Sequence, residues 1–202
     1  MNRDAFIGRV RQALGRAPGD PVAAPPQPYI PEVPVSADSG ELVARFGAEF
    51  ERVGGQLHRA ESVEEAREIL DRLLREHQLA SVLTTGEPLV QVVTEPLALK
   101  EAEDPADADA GITGAVCGVA ATGSLVLSSG VGRRPSLMPL VHLVVLESSA
   151  IVADLHTALE RFGGDLPSGL VQATGPSRTA DIEQTLTTGV HGPGSVQLIL
   201  VG

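Results

Sequence analysis

The sequence predicts an α/β protein with a mixed, largely parallel sheet covered by helices. Two observations predict it. Between Ser39 and Thr85, helical and strand patterns alternate, as they do where strands are joined through crossover helices. In the second half, the apolar runs SLVL, LVHLVVL and SVQLILV are continuous rather than alternating, the pattern of strands buried on both faces. A length of 202 residues suffices for one domain with a substantial core.

Composition excludes several functions. With 15 Lys and Arg against 26 Asp and Glu, the formal charge is −11, so the surface repels a phosphate backbone. There is no Trp, one Tyr and four Phe, too few to stack single-stranded bases, so nucleic acid is not an expected partner. Cys117 is the one cysteine: the chain forms no internal disulfide and cannot by itself hold an iron–sulfur cluster or a cysteine zinc site. Charges interrupt the opening MNRDAFIGRVRQALGR too often for a signal peptide, and no later run is long enough to span a bilayer. A cytoplasmic protein with no membrane partner is expected.

In chain order, Phe6, Ile7, Val10, Ala13 and Leu14 recur at helical spacing and predict an amphipathic helix over residues 1–16. Seven prolines between residues 17 and 36 remove backbone donors and fix φ too often for regular structure, which predicts a linker there. The helix could then dock on its own domain, on a second copy or on another protein. The main domain is expected over residues 37–202. Leu42, Val43, Phe46, Phe50 and Val53 share a helical face, ended by Gly54 and Gly55. A strand, QLHRA, follows. In SVEE, Ser62 can cap a helix while Glu65 reaches back to the cap's amide, and Ala66, Ile69, Leu70, Leu73 and Leu74 form its buried stripe. ASVLTT reads as a buried strand, and KEAEDPADADAG as a solvated acidic loop. Asp104, Asp107 and Asp109 there lack the glycine and terminal glutamate of a calcium-binding hand, so no metal site is expected. Two further helices are expected, near 153–162 and 179–187.

Several stretches could carry chemistry. In TGPSRTADIE, a strand running through Gly175 and Ser177 into a helix would leave free amides at the helix start, with Arg178 as a forked cationic donor and Asp181 suited to the dipole: an anion cradle. Alternatively, Ser177 or Thr179 caps the helix and Arg178 pairs on the surface. GVGRRPSLMP places Arg133 and Arg134 in a glycine-flanked loop, either an anion site or a solvated turn. His142, alone in an apolar run, is either a core residue satisfied by a backbone carbonyl or a proton carrier. His191 in GVHGPG sits on a loop shaped by Gly189, Gly192, Pro193 and Gly194, and can face a ligand as an acid or base. Thr122, Gly123 and Ser124 mark a strand edge where either a ligand's approach or a hairpin bend explains the glycine. His58 and His77 are assigned no chemistry, and no nucleophile elbow or glycosidase carboxylate pair is present.

Together, ITG at Ile112, ATGSLVL at Ala121, GRRPSLMPLVH ending at His142, TGPSRTADIE and GVHGP resemble the lactate-utilisation family, specifically the lactate utilization protein C (LutC/YkgG) group with its LUD domain. The resemblance runs from about Ile112 to the end, and the helix plus proline-rich arm also looks like that group. It implies a fold similar to the NagB/RpiA/CoA-transferase class and a role in oxidising L-lactate to pyruvate, with iron–sulfur clusters held by partner proteins and no cofactor in this chain. By the same resemblance, Thr122, Gly123, Ser124, Arg133, His142, Gly175, Ser177, Arg178, Thr179, Asp181 and Gly192 become candidate ligand-binding residues, and His191 the candidate catalytic one. Many relatives have a glutamate where this chain has Ala121; since related CoA transferases use a glutamate nucleophile, Ala121 argues against covalent transfer here.

The expected function is a subunit of an L-lactate-oxidising system that binds a small carboxylate or phosphate-bearing ligand among the loops of Arg133, Arg178 and His191. One alternative is a stand-alone transferase or isomerase acting on an anionic small molecule through His191. The other is a non-catalytic assembly factor that uses the N-terminal helix and arm to hold the iron–sulfur partners, and a second copy of the chain is a further candidate partner.

Overall fold

The computed structural model describes residues 2–17, 19–20, 39–164, 166–180 and 186–202. The chain divides into two units, 1–32 and 33–202. Within the first, helix α1 (Arg3–Ala13) is capped by Asn2, whose side chain accepts from the Ala5 amide at 2.9 Å. None of its residues is buried, and Phe6, Val10 and Leu14 are exposed. Most of the expected 17–36 linker lies outside the described residues.

The second unit is built on a five-stranded, all-parallel sheet. Its strands are β1 (Gln56–Ala60), β2 (Val82–Thr84), β3 (Ala110–Gly114), β6 (Val141–Glu147) and β11 (Ser195–Val201), in the order β1-β11-β6-β3-β2. The continuous apolar runs are explained by burial of both faces. Leu143, Val145, Ile199 and Val201 pack against α3 (Val63–Glu76) and α4 (Pro88–Thr94), while Val144, Leu146, Leu198 and Leu200 join the opposite cluster. Within α3, Ser62 accepts from the Glu65 amide at 3.2 Å. The Glu65 carboxylate reaches back to the amide of Glu61, one residue before the cap expected from the sequence.

The opposite face departs from the expectation of a cover made of helices. There α2 (Ser39–Arg52), with Phe46 and Phe50 stacked at 5.7 Å, shares the layer with a second sheet. That sheet joins β4 (Cys117–Val119), β5 (Ser124–Ser128), β7 (Ile151–Val152) and β8 (Leu170–Ala173) in the order β7-β4-β5-β8, with α6 (Leu155–Glu160) packed on its far side. Asp154 caps α6 by accepting from the Thr157 amide at 2.8 Å, and these bonds hold its carboxyl below the ordinary value.

Of the helix expected near 179–187, residues 181–185 lie outside the described residues, and the described ends are strand. Residues on either side of 181–185 pair instead as antiparallel strands β9 (Arg178–Ala180) and β10 (Leu186–Thr188), with Thr179 opposite Thr187. β-Branched threonines lose rotamer freedom in a helix and fit a pleated ladder well. The acidic loop is also less free than expected. Asp109 accepts from the amides of Ala80 and Ser81 at 2.9 and 2.8 Å and from the Ser81 hydroxyl, which holds its carboxyl below the ordinary range and ties the loop to the start of β2.

Candidate functional site

The motif residues separate into two groups at different places in the fold. The first gathers at the carboxyl end of α2. The β4–β5 turn carries Thr122, Gly123 and Ser124; Thr122 and Ser124 hydroxyls lie 2.7 Å apart, and the fully buried Ser124 also meets Thr174 Oγ1 at 2.8 Å and receives Gln172 Nε2 at 3.1 Å. Hydroxyls both donate and accept, so one cluster links the ATGS turn to the start of TGPSR. A Cβ on Gly123 would stand 2.3 Å from the Phe50 amide nitrogen, and one on Gly175 would stand 2.3 Å from Val53 O. At both glycines the absence of a side chain lets a loop touch the backbone at the end of α2, a close approach within the fold itself.

Arg178 completes this end. Its Nη2 donates to Val53 O at 2.8 Å, a cation satisfying a carbonyl where the helix carries partial negative charge. Because β9 starts at Arg178, no helix begins here, and the expected cradle of bare helix amides is absent from the described residues. The Ser177 amide donates to Pro193 O at 2.8 Å and Ser177 O accepts from Gly189 at 3.0 Å, which brings the loop of His191 and Gly192 alongside. His191 is exposed, Thr179 lies in β9, and Asp181 lies outside the described residues.

Arg133 and His142 belong elsewhere. Arg133 follows the opposite end of β5 from Ser124, exposed beside Gly169. His142, 1% exposed on β6, meets Thr113 Oγ1 at 2.8 Å, and burial lowers its pKa to about 4, so it is neutral at pH 7. It is a core histidine, satisfied by a hydroxyl rather than by a carbonyl. The single positive hollow expected from Arg133, Arg178 and His191 is thus divided.

The second group faces the carboxyl ends of β2, β3 and β6, where open parallel sheets place their ligands. A groove of about 360 Å³ is lined there by Glu87, Leu89, Ala115, Val116, Leu146 and Glu147, among others. Glu87 also lines a much smaller cavity with Thr85, Thr113, Gly114, Ser128 and Ser136. Its Oε2 is buried with no hydrogen-bond partner among the described residues. Behind this wall Thr113 holds His142, so the ITG and GRRPSLMPLVH motifs both contribute to this end. Sequence reasoning missed Glu87 and Glu147. The signal was present in the TTGEP and LESS stretches that follow apolar runs, but strand order was needed to bring them together.

The fully buried Gln197 bridges two histidines that the sequence left without a role, with Oε1 3.0 Å from His58 Nε2 and Nε2 3.0 Å from His77 Nε2. An amide oxygen only accepts and an amide nitrogen only donates, so in this orientation His58 carries its proton on Nε2 and His77 does not. The bridge ties β11 to β1 and to the end of α3. Among the described residues, no group of three or more His, Cys, Asp or Glu side chains is placed to hold a metal ion, and no helix is long and apolar enough to cross a membrane. Cys117 is buried, which pushes its thiol up.

The LUD domain family matches residues 99–201. A lactate utilization protein C of Shouchella clausii is 32% identical over 99% of this chain and 97% of its own length. An uncharacterized protein of Neisseria meningitidis is 38% identical over 46% of this chain and 42% of its length. Among solved structures, a DUF162 family protein of Deinococcus radiodurans, 22% identical, matches 83% of this chain and all of its own with a TM-score of 0.59, a likeness of fold.

Proposed function

The chain belongs to the LUD domain family, and on that premise we propose that it is a cytoplasmic subunit of a lactate-utilisation system that oxidises L-lactate to pyruvate. It binds a small carboxylate or phosphate-bearing ligand, and iron–sulfur partner proteins supply the redox centres. Support for the division of labour comes from the relatives named lactate utilization protein C, which match nearly the full chain, and from the single cysteine, which cannot hold a cluster.

The ligand site of this reading lies at the end of α2. The observation that carries it is the Arg178 guanidinium, a forked cationic donor held by its bond to Val53 O beside the Ser177 and His191 loops, with no second hydrogen bond among the described residues. Arg133 and His142 are not part of it. Calorimetry with lactate, pyruvate, phosphate and CoA tests the site: Arg178→Ala should weaken whichever anion binds by about 1.5 to 3 kcal/mol, as for a lost charge-assisted hydrogen bond. Arg178→Lys, which keeps the charge without the fork, should fall between. Unchanged affinity in Arg178→Ala removes the site.

One observation favours a second reading, that of an assembly factor. Helix α1 buries none of its residues, and Phe6, Val10 and Leu14 form an exposed i, i+4, i+8 stripe suited to a partner. Deleting residues 1–36 would then abolish co-purification with the iron–sulfur proteins while leaving anion binding intact.

A further inference from the structure

We propose that helix α1 is a docking element for an anionic membrane surface, on which it lies in the plane of the lipid headgroups. Charge is segregated along the chain. Residues 1–20 carry four arginines against two aspartates, whereas the rest of the chain carries 11 basic residues against 24 acidic ones. The segment of opposite sign is also one whose apolar side chains join no core. None of the α1 residues is buried, and Phe6, Val10 and Leu14 are 55%, 41% and 64% exposed. At helical spacing Ile7 and Ala13 flank these three, which widens the apolar stripe to about a third of the circumference.

The arginines stand where a headgroup layer meets such a helix. By the same spacing Arg9 borders the stripe on one side, Arg11 borders it on the other, and Arg3 lies at its amino end. An arginine at the border of an apolar stripe keeps its stem with the acyl chains and reaches outward to lipid phosphates with its guanidinium. A complementary protein would need acidic groups along both borders, whereas an anionic lipid surface offers negative charge on every side and takes up the apolar side chains between. The acidic main unit is repelled by the same surface, but only within about 8 Å at physiological ionic strength, so attachment rests on the first segment. A helix lying on a surface needs no spanning run, the feature whose lack led to the expectation of no membrane partner.

Flotation of the full chain with vesicles tests the proposal, one set made of phosphatidylcholine alone and one of phosphatidylcholine with phosphatidylglycerol. The chain should float with the anionic vesicles, be released from them by high salt, and stay behind with the neutral ones. Arg9→Gln combined with Arg11→Gln should weaken binding about 25-fold, at about fivefold per arginine. Phe6→Gln combined with Val10→Gln should weaken it by about tenfold or more with every arginine still present. Since α1 buries no side chain, both double variants should keep the parent's Tm, which separates lost docking from lost folding. Absence of flotation with the anionic vesicles, equal flotation with the neutral ones, or unchanged binding in either double variant would overturn the proposal. A stripe that serves the iron–sulfur proteins instead gives the first of these results. Arg178→Ala should float as the parent does, so the anion site and the membrane helix fail independently.

Discussion

His142 shows how much a single residue's surroundings decide. In sequence it stands alone in LVHLVVL, a setting equally open to a core histidine and to a proton carrier. The fold buries it against Thr113 and removes it from solvent, which lowers its pKa from about 6.5 to about 4. Between those values the unfolded chain takes up a proton that the folded chain does not. Its contribution is therefore complete above pH 6.5 and is lost as the pH falls towards 4, by up to about 3 kcal/mol. Urea unfolding of His142→Gln at pH 7 and pH 4.5 should show a smaller acid loss than the parent. An equal loss in both would mean that other groups carry the acid sensitivity. Arg178 teaches the complementary lesson: its charge was evident from sequence, but its partner, Val53 O, lies 125 residues away.

At the scale of elements, helix α3 was legible because its signals are local. Ser62 and Glu65 sit within one turn, and the buried stripe repeats at helical spacing. The pairing of β9 with β10 was not, because the ladder that sets Thr179 opposite Thr187 is a contact between segments, and a local pattern fits a helix equally well. The ATGS turn belongs to this scale too. Gly123 has φ +63° and touches the α2 backbone, so Gly123→Ala combines a strained dihedral with a clash against Phe50. We expect it to cost about 2 to 4 kcal/mol, read as a lowered Tm with the anion affinity of surviving protein unchanged. A variant as stable as the parent would show that α2 can shift away, and would reopen the ligand reading of that glycine.

For the molecule as a whole, residues 33–202 contain three apolar clusters of their own, and α1 adds no buried residue. A chain truncated to residues 37–202 should therefore unfold cooperatively, with a Tm within about 3 °C of the parent. A broad or much lower transition would show that the first 36 residues belong to the folding unit. The sequence by itself determined the class of fold, the helices with local caps, the acidic charge and the inability of one cysteine to hold a cluster, since each depends on composition or on neighbours within a few residues. Only the tertiary structure decided that a second sheet covers one face, that the motifs part into two groups, and that Glu87 and Glu147 share a groove. Strand order and loop packing arise from contacts between distant segments, and no local pattern encodes which ends will meet.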